Sequence, residues 1–410
     1  MIANHKQLKP LPVRDGPAAA SAGLYVHFPW CIRICTYCDF DRQAHAFDLV
    51  PAYVEALATE IQRLPRIDVH SVFFGGGTPS LMSAVQVGRV MDAARSRFRF
   101  SHNAEVTLET NPDDTEGMDF PGLIAAGVNR ISMGVQNLDD RWLRLLVRRH
   151  SAEEAREAAR RVRLGGIDNL NLDLMFGLPG LGLADWRATL EAALELGPDH
   201  LSCYLLTVDE SVPLGRDVAA GRLAIPDDDA LSEQYALTME LLAEAGFEQY
   251  EISNWARPGR QSRHNLTYWR DEPYLGVGAG AASCWQGRRS KNSPVVKRYL
   301  AAVEAGTVDL VEDEQSDWLT ALEDHLGLLL RLREGLDLDR FEARFGRSLD
   351  SIAAEELRLL GRAGILERND TRLRVGSAHL MVTNEVLARL RAAIEQTIDS
   401  QRVLAGSITS

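Results

Sequence analysis

The sequence predicts an α/β protein: a partial (β/α)6 barrel of TIM-like type, followed by a smaller α-rich, winged-helix-like domain. Short apolar or alternating runs recur between longer helical stretches through residue 246, the pattern of a parallel sheet with right-handed crossovers. Unusual polar residues stand at the C-terminal ends of five consecutive runs. A barrel gathers such ends around one mouth, whereas an open doubly wound sheet concentrates its site at one switch point. Six strand–helix units are present, so a closed ring of eight is not expected.

The first run, Leu24–His27, leads into Cys31, Cys35 and Cys38, and a helical pattern follows over Val50–Leu64. Ser71–Phe74 ends on Gly75-Gly76-Gly77-Thr78-Pro79 and precedes a helix over Ala84–Arg97. Glu105–Leu108 ends on Glu109-Thr110-Asn111-Pro112, and Arg130–Gly134 runs into Val135 and Gln136. Ser151 followed by Glu154 is a capping box that starts a helix reaching Leu164. Leu170–Leu174 carries Asp173 near its end and is followed by a helix over Ala184–Leu196; Leu201–Leu205 is followed by one over Asp229–Ala245. In Asn169–Leu174 the leucines share one face and Asn171 and Asp173 the other, because strand side chains alternate. Glu105, Thr107 and Glu109 alternate likewise with Val106 and Leu108. Polar inner faces on two strands predict a cavity, since a purely structural barrel core is apolar.

Beyond the barrel, residues 247–310 mix aromatics, glycines and basic residues and are read as a barrel-completing segment. From 311 to 398 helices are expected near 318–332, 338–345, 350–361 and 383–397, with a hairpin over Ile365–Val375. Residues 1–22 read as a disordered lead and 399–410 as a tail. Lys and Arg number 45 against 58 Asp and Glu, a net charge of −13, and residues 311–410 hold 13 Arg against 18 acidic residues. Both balances argue against nucleic acid as a partner. No run of ~20 apolar residues exists to span a bilayer, and the Pro/Ala-rich start lacks the apolar core of a secretory signal. A cytoplasmic protein, monomer or homodimer, is expected.

The cysteines form C-x-x-x-C-x-x-C in a loop after a strand. Thiolates this close converge on one soft metal centre. A structural zinc needs four closed ligands, with His27 or Asp39 as the nearest fourth; a three-cysteine iron–sulfur cube leaves one iron open; three reduced structural thiols are the third reading. Cys203 and Cys284 read as packing thiols. The triple glycine permits close backbone approach to a ligand, but it is not a G-x-G-x-x-G and gives no support to a dinucleotide site.

Tyr25-Val26-His27-Phe28-Pro29-Trp30-Cys31 through Cys38-Asp39-Phe40 resembles the radical S-adenosylmethionine superfamily. Within that superfamily the chain resembles the oxygen-independent coproporphyrinogen III oxidase-like family, whose main branch is the heme chaperone HemW. The likeness continues in Phe73–Ser80, Glu109–Pro112, Ser132–Gln136, Asp173–Pro179, Tyr250–Asn254, His264–Trp269 and the pairs Gly327-Leu328 and Glu334-Gly335, over about residues 23–395. The resemblance implies a [4Fe–4S] cluster on Cys31, Cys35 and Cys38, its open iron chelated by the methionine end of S-adenosylmethionine, with Tyr25 and Tyr37 shielding it. It implies cofactor contacts from Gly76, Gly77, Thr78, Glu109, Gln136, Arg149, Asp173 and Thr207. It further implies heme on His264 as an axial ligand under the aromatic cover of Tyr268 and Trp269, at a place apart from the first-strand loop, with an apo-hemoprotein as acceptor. The decarboxylating branch has a fourth cysteine two residues past the third; Phe40 stands there, which favours the chaperone over coproporphyrinogen III oxidation. The chaperone branch commonly reads Gly-Ala-His-Ser where this chain has Gly280-Ala281-Ala282-Ser283.

Overall fold

The computed structural model describes residues 21–407. The expected lead falls largely outside that range, but Ser21 and Ala22 belong to the first strand rather than to a disordered lead. The expected tail is likewise shorter than predicted, because the last helix runs Thr383–Ser407.

Six strands follow one another in space as in sequence, each parallel to the last: β1 (Ser21–Phe28), β2 (Asp68–Gly76), β3 (Arg99–Thr110), β4 (Arg130–Gln136), β5 (Leu170–Phe176) and β6 (His200–Leu205). Helices Val50–Arg63, Ala84–Arg97, Ala152–Leu164 and Leu183–Glu195 cross between them, with the expected capping box from Ser151 and Glu154 at the start of the third. Short helices at Phe120–Ala126, Asp140–Leu145 and Pro213–Ala219 are too brief to leave a periodic signal.

The segment after residue 246 extends the sheet at both edges rather than forming a separate layer. β7 (Glu248–Glu251) and β8 (Asn254–Ala256) add antiparallel beyond β6. The chain then returns to the other edge, where β9 (Tyr274–Val277) pairs parallel with β1, followed by β10 (Ala282–Trp285), β11 (Arg288–Asn292) and β12 (Leu310–Gln315). The result is an open twelve-stranded sheet around six β/α units. The connection between the two edges carries the helix Arg263–Trp269.

Leu170, Leu172 and Leu174 are fully buried against the helices while Asn171 and Asp173 face inward, so the alternation argument holds. The C-terminal domain packs helices Trp318–Leu329, Leu338–Phe345, Leu349–Arg362 and Thr383–Ser407 around a small sheet of Leu336–Asp337, Arg372–Val375 and Leu366–Arg368. It is tied to the barrel through Asp271, which accepts from His325 Nδ1 and Arg344 Nη2, each at 2.9 Å.

Candidate functional site

Inward-pointing side chains and the loops at the strand C-termini enclose a cavity of about 600 Å³, the size that holds a drug-sized ligand. It brings together fourteen of the predicted site residues: Tyr25, the three cysteines of the loop, Tyr37, Gly76, Gly77, Thr78, Glu109, Gln136, Asp173, Thr207, His264 and Tyr268. Arg149 and Trp269 lie outside it.

Cys31, Cys35 and Cys38 stand at the mouth, half-buried and free of disulfides. Burial pushes the Cys31 and Cys38 thiols up, and the hydrogen bond from Thr78 Oγ1 to Cys31 Sγ, 3.5 Å long, pulls the other way. Arg148 Nη1 approaches Cys35 Sγ at 3.4 Å. Among the described residues no three His, Cys, Asp or Glu side chains are grouped to hold a single metal ion. Of the candidate fourth zinc ligands, His27 has both ring nitrogens engaged, by Tyr25 Oη at 3.0 Å and Asp41 O at 2.9 Å, so three thiols around one opening, with cationic and hydroxyl donors aimed at sulfur, fit a three-cysteine cluster better than a closed zinc site.

The glycine ledge shapes the wall beside them. Gly77 N donates to Phe28 O at 2.8 Å, and a Cβ at Gly77 would come within 2.6 Å of Trp30 O, so only glycine lets the end of β2 lie this close to the cysteine loop. Gly76 N donates to Glu109 Oε2 at 3.2 Å. Glu109 and Asp173 face each other in the cavity. Burial first, then the Asp173 charge, pushes Glu109 up to about 8, and burial also raises Asp173. Asp173 accepts from Asn171 Nδ2 at 2.7 Å and Ser132 Oγ at 3.5 Å. Two carboxylates held together in this way suit a ligand that brings positive charge. Gln136 lines the same wall at φ 67°, in the left-handed region that side chains rarely adopt, where β4 slips register against β5.

Arg148, rather than Arg149, enters the cavity. Its guanidinium donates to Asn111 Oδ1 at 2.5 Å and Gly134 O at 2.6 Å and reaches Tyr37 Oη at 3.4 Å. Arg149 turns outward to Asp113 and Asp114. Val147, at φ 57°, makes the turn that decides which arginine faces in.

The heme-ligand expectation is altered most. His264 is buried beneath the cavity, its ring stacked on Phe73 with centroids 5.2 Å apart. Its Nδ1 pairs with Ser71 Oγ at 2.9 Å and its Nε2 with Tyr268 Oη at 2.8 Å, so neither nitrogen is left for an iron. Burial holds its pKa down to about 3, so the ring is neutral. Gly23 makes room for it; a Cβ there would sit 3.1 Å from the imidazole. Rather than standing apart from the cysteine cavity, the helix Arg263–Trp269 closes it from beneath, on the side of the strand N-termini. Glu105 fixes the helix start by accepting from the backbone of Arg263 and His264, both at 3.1 Å, where a carboxylate also meets the positive end of the helix. Trp269 packs half-buried against the core and covers nothing in the cavity.

Sequence reasoning missed a second network. His200 bridges Asn171 Oδ1 at 2.6 Å and Tyr250 Oη at 2.9 Å, and Tyr250 Oη accepts from Asn265 Nδ2 at 3.2 Å. Glu251 takes Asn265 Nδ2 at 3.1 Å and Ser253 N at 2.7 Å. The segments Tyr250–Asn254 and His264–Trp269 thus form one structure. Their shared signal was the density of polar and aromatic residues. Arg130, fully buried in the cavity wall, was legible only as the first residue of a strand.

Comparison with known proteins accords with this geometry. Residues 25–193 match the Radical SAM superfamily, and residues 319–378 match the HemN C-terminal domain. The chain is 35% identical over 373 residues to the heme chaperone HemW of Bacillus subtilis, covering 88% of this chain and 97% of that protein. It is 40% identical over 265 residues to the Escherichia coli protein of that name, covering 63% of this chain and 68% of the relative. The solved coproporphyrinogen III oxidase HemN of Escherichia coli superposes with a TM-score of 0.77 at 23% identity, over 92% of each chain, and shares the fold. Fold and cavity together define a radical S-adenosylmethionine protein. Within that superfamily, the chain belongs to the family of the proteins named heme chaperone HemW.

Proposed function

We infer that this protein is a heme chaperone that carries a [4Fe–4S] cluster and S-adenosylmethionine, binds heme and passes it to an apo-hemoprotein in the cytoplasm. The observation that carries the cluster and cofactor is the convergence of Cys31, Cys35, Cys38, the Gly76–Gly77 ledge, and the Glu109–Asp173 pair on one cavity. When bound, the cluster supplies a Lewis-acidic iron and an electron source beside the cofactor. The chain's own residues position and shield. Glu109 and Asp173 take up positive charge, Arg148 ties Asn111, Gly134 and the cysteine loop together, and Tyr25 and Tyr37 wall the cavity against water. Phe40, two residues past Cys38, supports the chaperone over coproporphyrinogen III oxidation, as do the names of the relatives. Among the described residues no helix is long and apolar enough to cross a membrane. The test is anaerobic reconstitution followed by separate incubations with heme and with coproporphyrinogen III. Stable heme uptake without protoporphyrinogen IX supports the chaperone; decarboxylated product establishes the oxidase instead.

A further inference from the structure

Arg130 stands apart from the other polar groups of the barrel interior. It opens β4 on the inward face, with Ser132 and Gly134, while Ile131 and Met133 pack outward into the core. The residue is 2% exposed, its Nε is buried without a partner, and it forms no hydrogen bond or ion pair with any described residue. Burial dominates the ionisation of Glu109, Asp173 and His200, and the Arg130 charge acts on all three, so the guanidinium stands among them. The acceptors there are already taken. Asn171 Oδ1 accepts from His200 Nδ1 at 2.6 Å and Ser202 Oγ at 3.2 Å, Asp173 accepts from Asn171 and Ser132, and Glu109 accepts from Gly76 N. A buried cation without a partner is costly, and this one lines the cavity, where a ligand can reach it. Arg148 serves another place: it is held at Gly134 O, four residues or ~13 Å further along the strand, and approaches Cys35.

We propose that Arg130 anchors a second subsite inside the barrel, deeper than the cysteines, which takes one carboxylate of a ligand other than S-adenosylmethionine. The planar guanidinium fork matches a carboxylate. With Glu109 and Asp173 close by, a single negative charge suits the seat and a dianionic phosphate does not. Because the helix Arg263–Trp269 closes the barrel beneath, a ligand held there extends toward the mouth, past the two carboxyls. A propionate side chain of heme and a small free carboxylic acid offer the same group. The subsite goes beyond the heme-binding reading and does not depend on it.

The experiment titrates the reconstituted full chain by calorimetry with propionate and with uncharged propionamide, with and without saturating S-adenosylmethionine. The parent binds propionate in both states, about tenfold or more tighter than propionamide. Arg130→Gln loses that preference with iron and sulfide content unchanged. Arg130→Lys keeps the charge without the fork and binds propionate with intermediate affinity, so the comparison holds even if Arg130→Gln is unstable. Equal affinity of the parent for acid and amide overturns the subsite. So does propionate binding undiminished in Arg130→Gln, or lost on saturation with S-adenosylmethionine. Hemin and its dimethyl ester then identify the source. A preference for hemin that Arg130→Gln removes assigns the subsite to a heme propionate; equal uptake of the two, beside intact propionate binding, assigns it to a small acid. A parent that takes up no hemin overturns the heme reading, and the propionate titration still decides the subsite.

Discussion

The floor and the mouth of the barrel are built from similar residue types and end in opposite states. On the floor, polar groups answer one another: Ser71 with His264, His264 with Tyr268, Glu105 with two backbone amides, His200 with Asn171 and Tyr250. Toward the mouth only some do: Arg148 reaches Asn111 and Gly134, and Gly76 N donates to Glu109. Glu109 and Asp173 crowd each other, three thiols stand unbonded to one another, and Arg33 has no partner among the described residues. Buried polar groups are costly unless paired; apart from the buried Nε of Arg130 the floor groups named here are paired, and the mouth is where a ligand would find partners. A histidine in a conspicuous motif is thereby structural, while less conspicuous carboxylates belong to the site.

The largest break in that contrast comes from the cysteines. Reconstituted protein should hold about four iron and four sulfide per chain. Replacing Cys31, Cys35 or Cys38 by Ala should abolish that content, whereas Cys203→Ala and Cys284→Ala should retain it, by iron and sulfide analysis. Next are the carboxylates. Asp173→Ala and Glu109→Ala should weaken S-adenosylmethionine binding roughly ten- to hundredfold, the equivalent of ~1.5–3 kcal/mol for a charged hydrogen bond, with the cluster intact. The raised Glu109 pKa adds a pH signature. Below about 8 the empty cavity keeps this carboxyl protonated, so binding a cationic ligand expels a proton. Affinity should therefore rise with pH up to about 8 and then level off, and Glu109→Gln should flatten the rise in calorimetric titrations. For folding the sign is opposite: stability declines between the ordinary 4.5 and about 8, where the unfolded chain releases the proton and the folded one keeps it.

Smaller effects separate the two arginines and the floor. Arg148→Ala should loosen the cofactor and perturb the cluster's spectrum, and Arg149→Ala should leave both unchanged. Tyr268→Phe and His264→Ala should lower stability by about 1–3 kcal/mol, since each leaves a buried partner unpaired. The His264 effect has its own pH dependence. With a folded pKa near 3 against an ordinary 6.5, the neutral ring's contribution is complete above 6.5 and is lost as pH falls toward 3; His264→Ala should remove that part of the acid sensitivity.

What the sequence disclosed follows the reach of each signal. Alternation over Asn169–Leu174 placed Asn171 and Asp173 inside because strand periodicity is local and exact in its two-residue repeat. The cysteine spacing and the glycine ledge were equally local. Arg149 was implied by the resemblance; its neighbour Arg148 faces the cavity instead because of the left-handed turn at Val147, which no local pattern marks. The fate of His264 depended on Ser71, 193 residues away, and on a helix that seals the barrel only after the chain has crossed between sheet edges.

The central claim, a ligand-seeking mouth over a self-satisfied floor, is tested most directly by one paired measurement. Glu109→Gln and His264→Ala are reconstituted side by side, titrated with S-adenosylmethionine by calorimetry and melted in the absence of cofactor. The account predicts that, below about pH 8, Glu109→Gln binds at least about tenfold more weakly with an undiminished melting temperature, because without cofactor the carboxyl it replaces is already neutral. His264→Ala should keep its affinity and melt lower. Weakened cofactor binding in His264→Ala beside parental affinity in Glu109→Gln would contradict it.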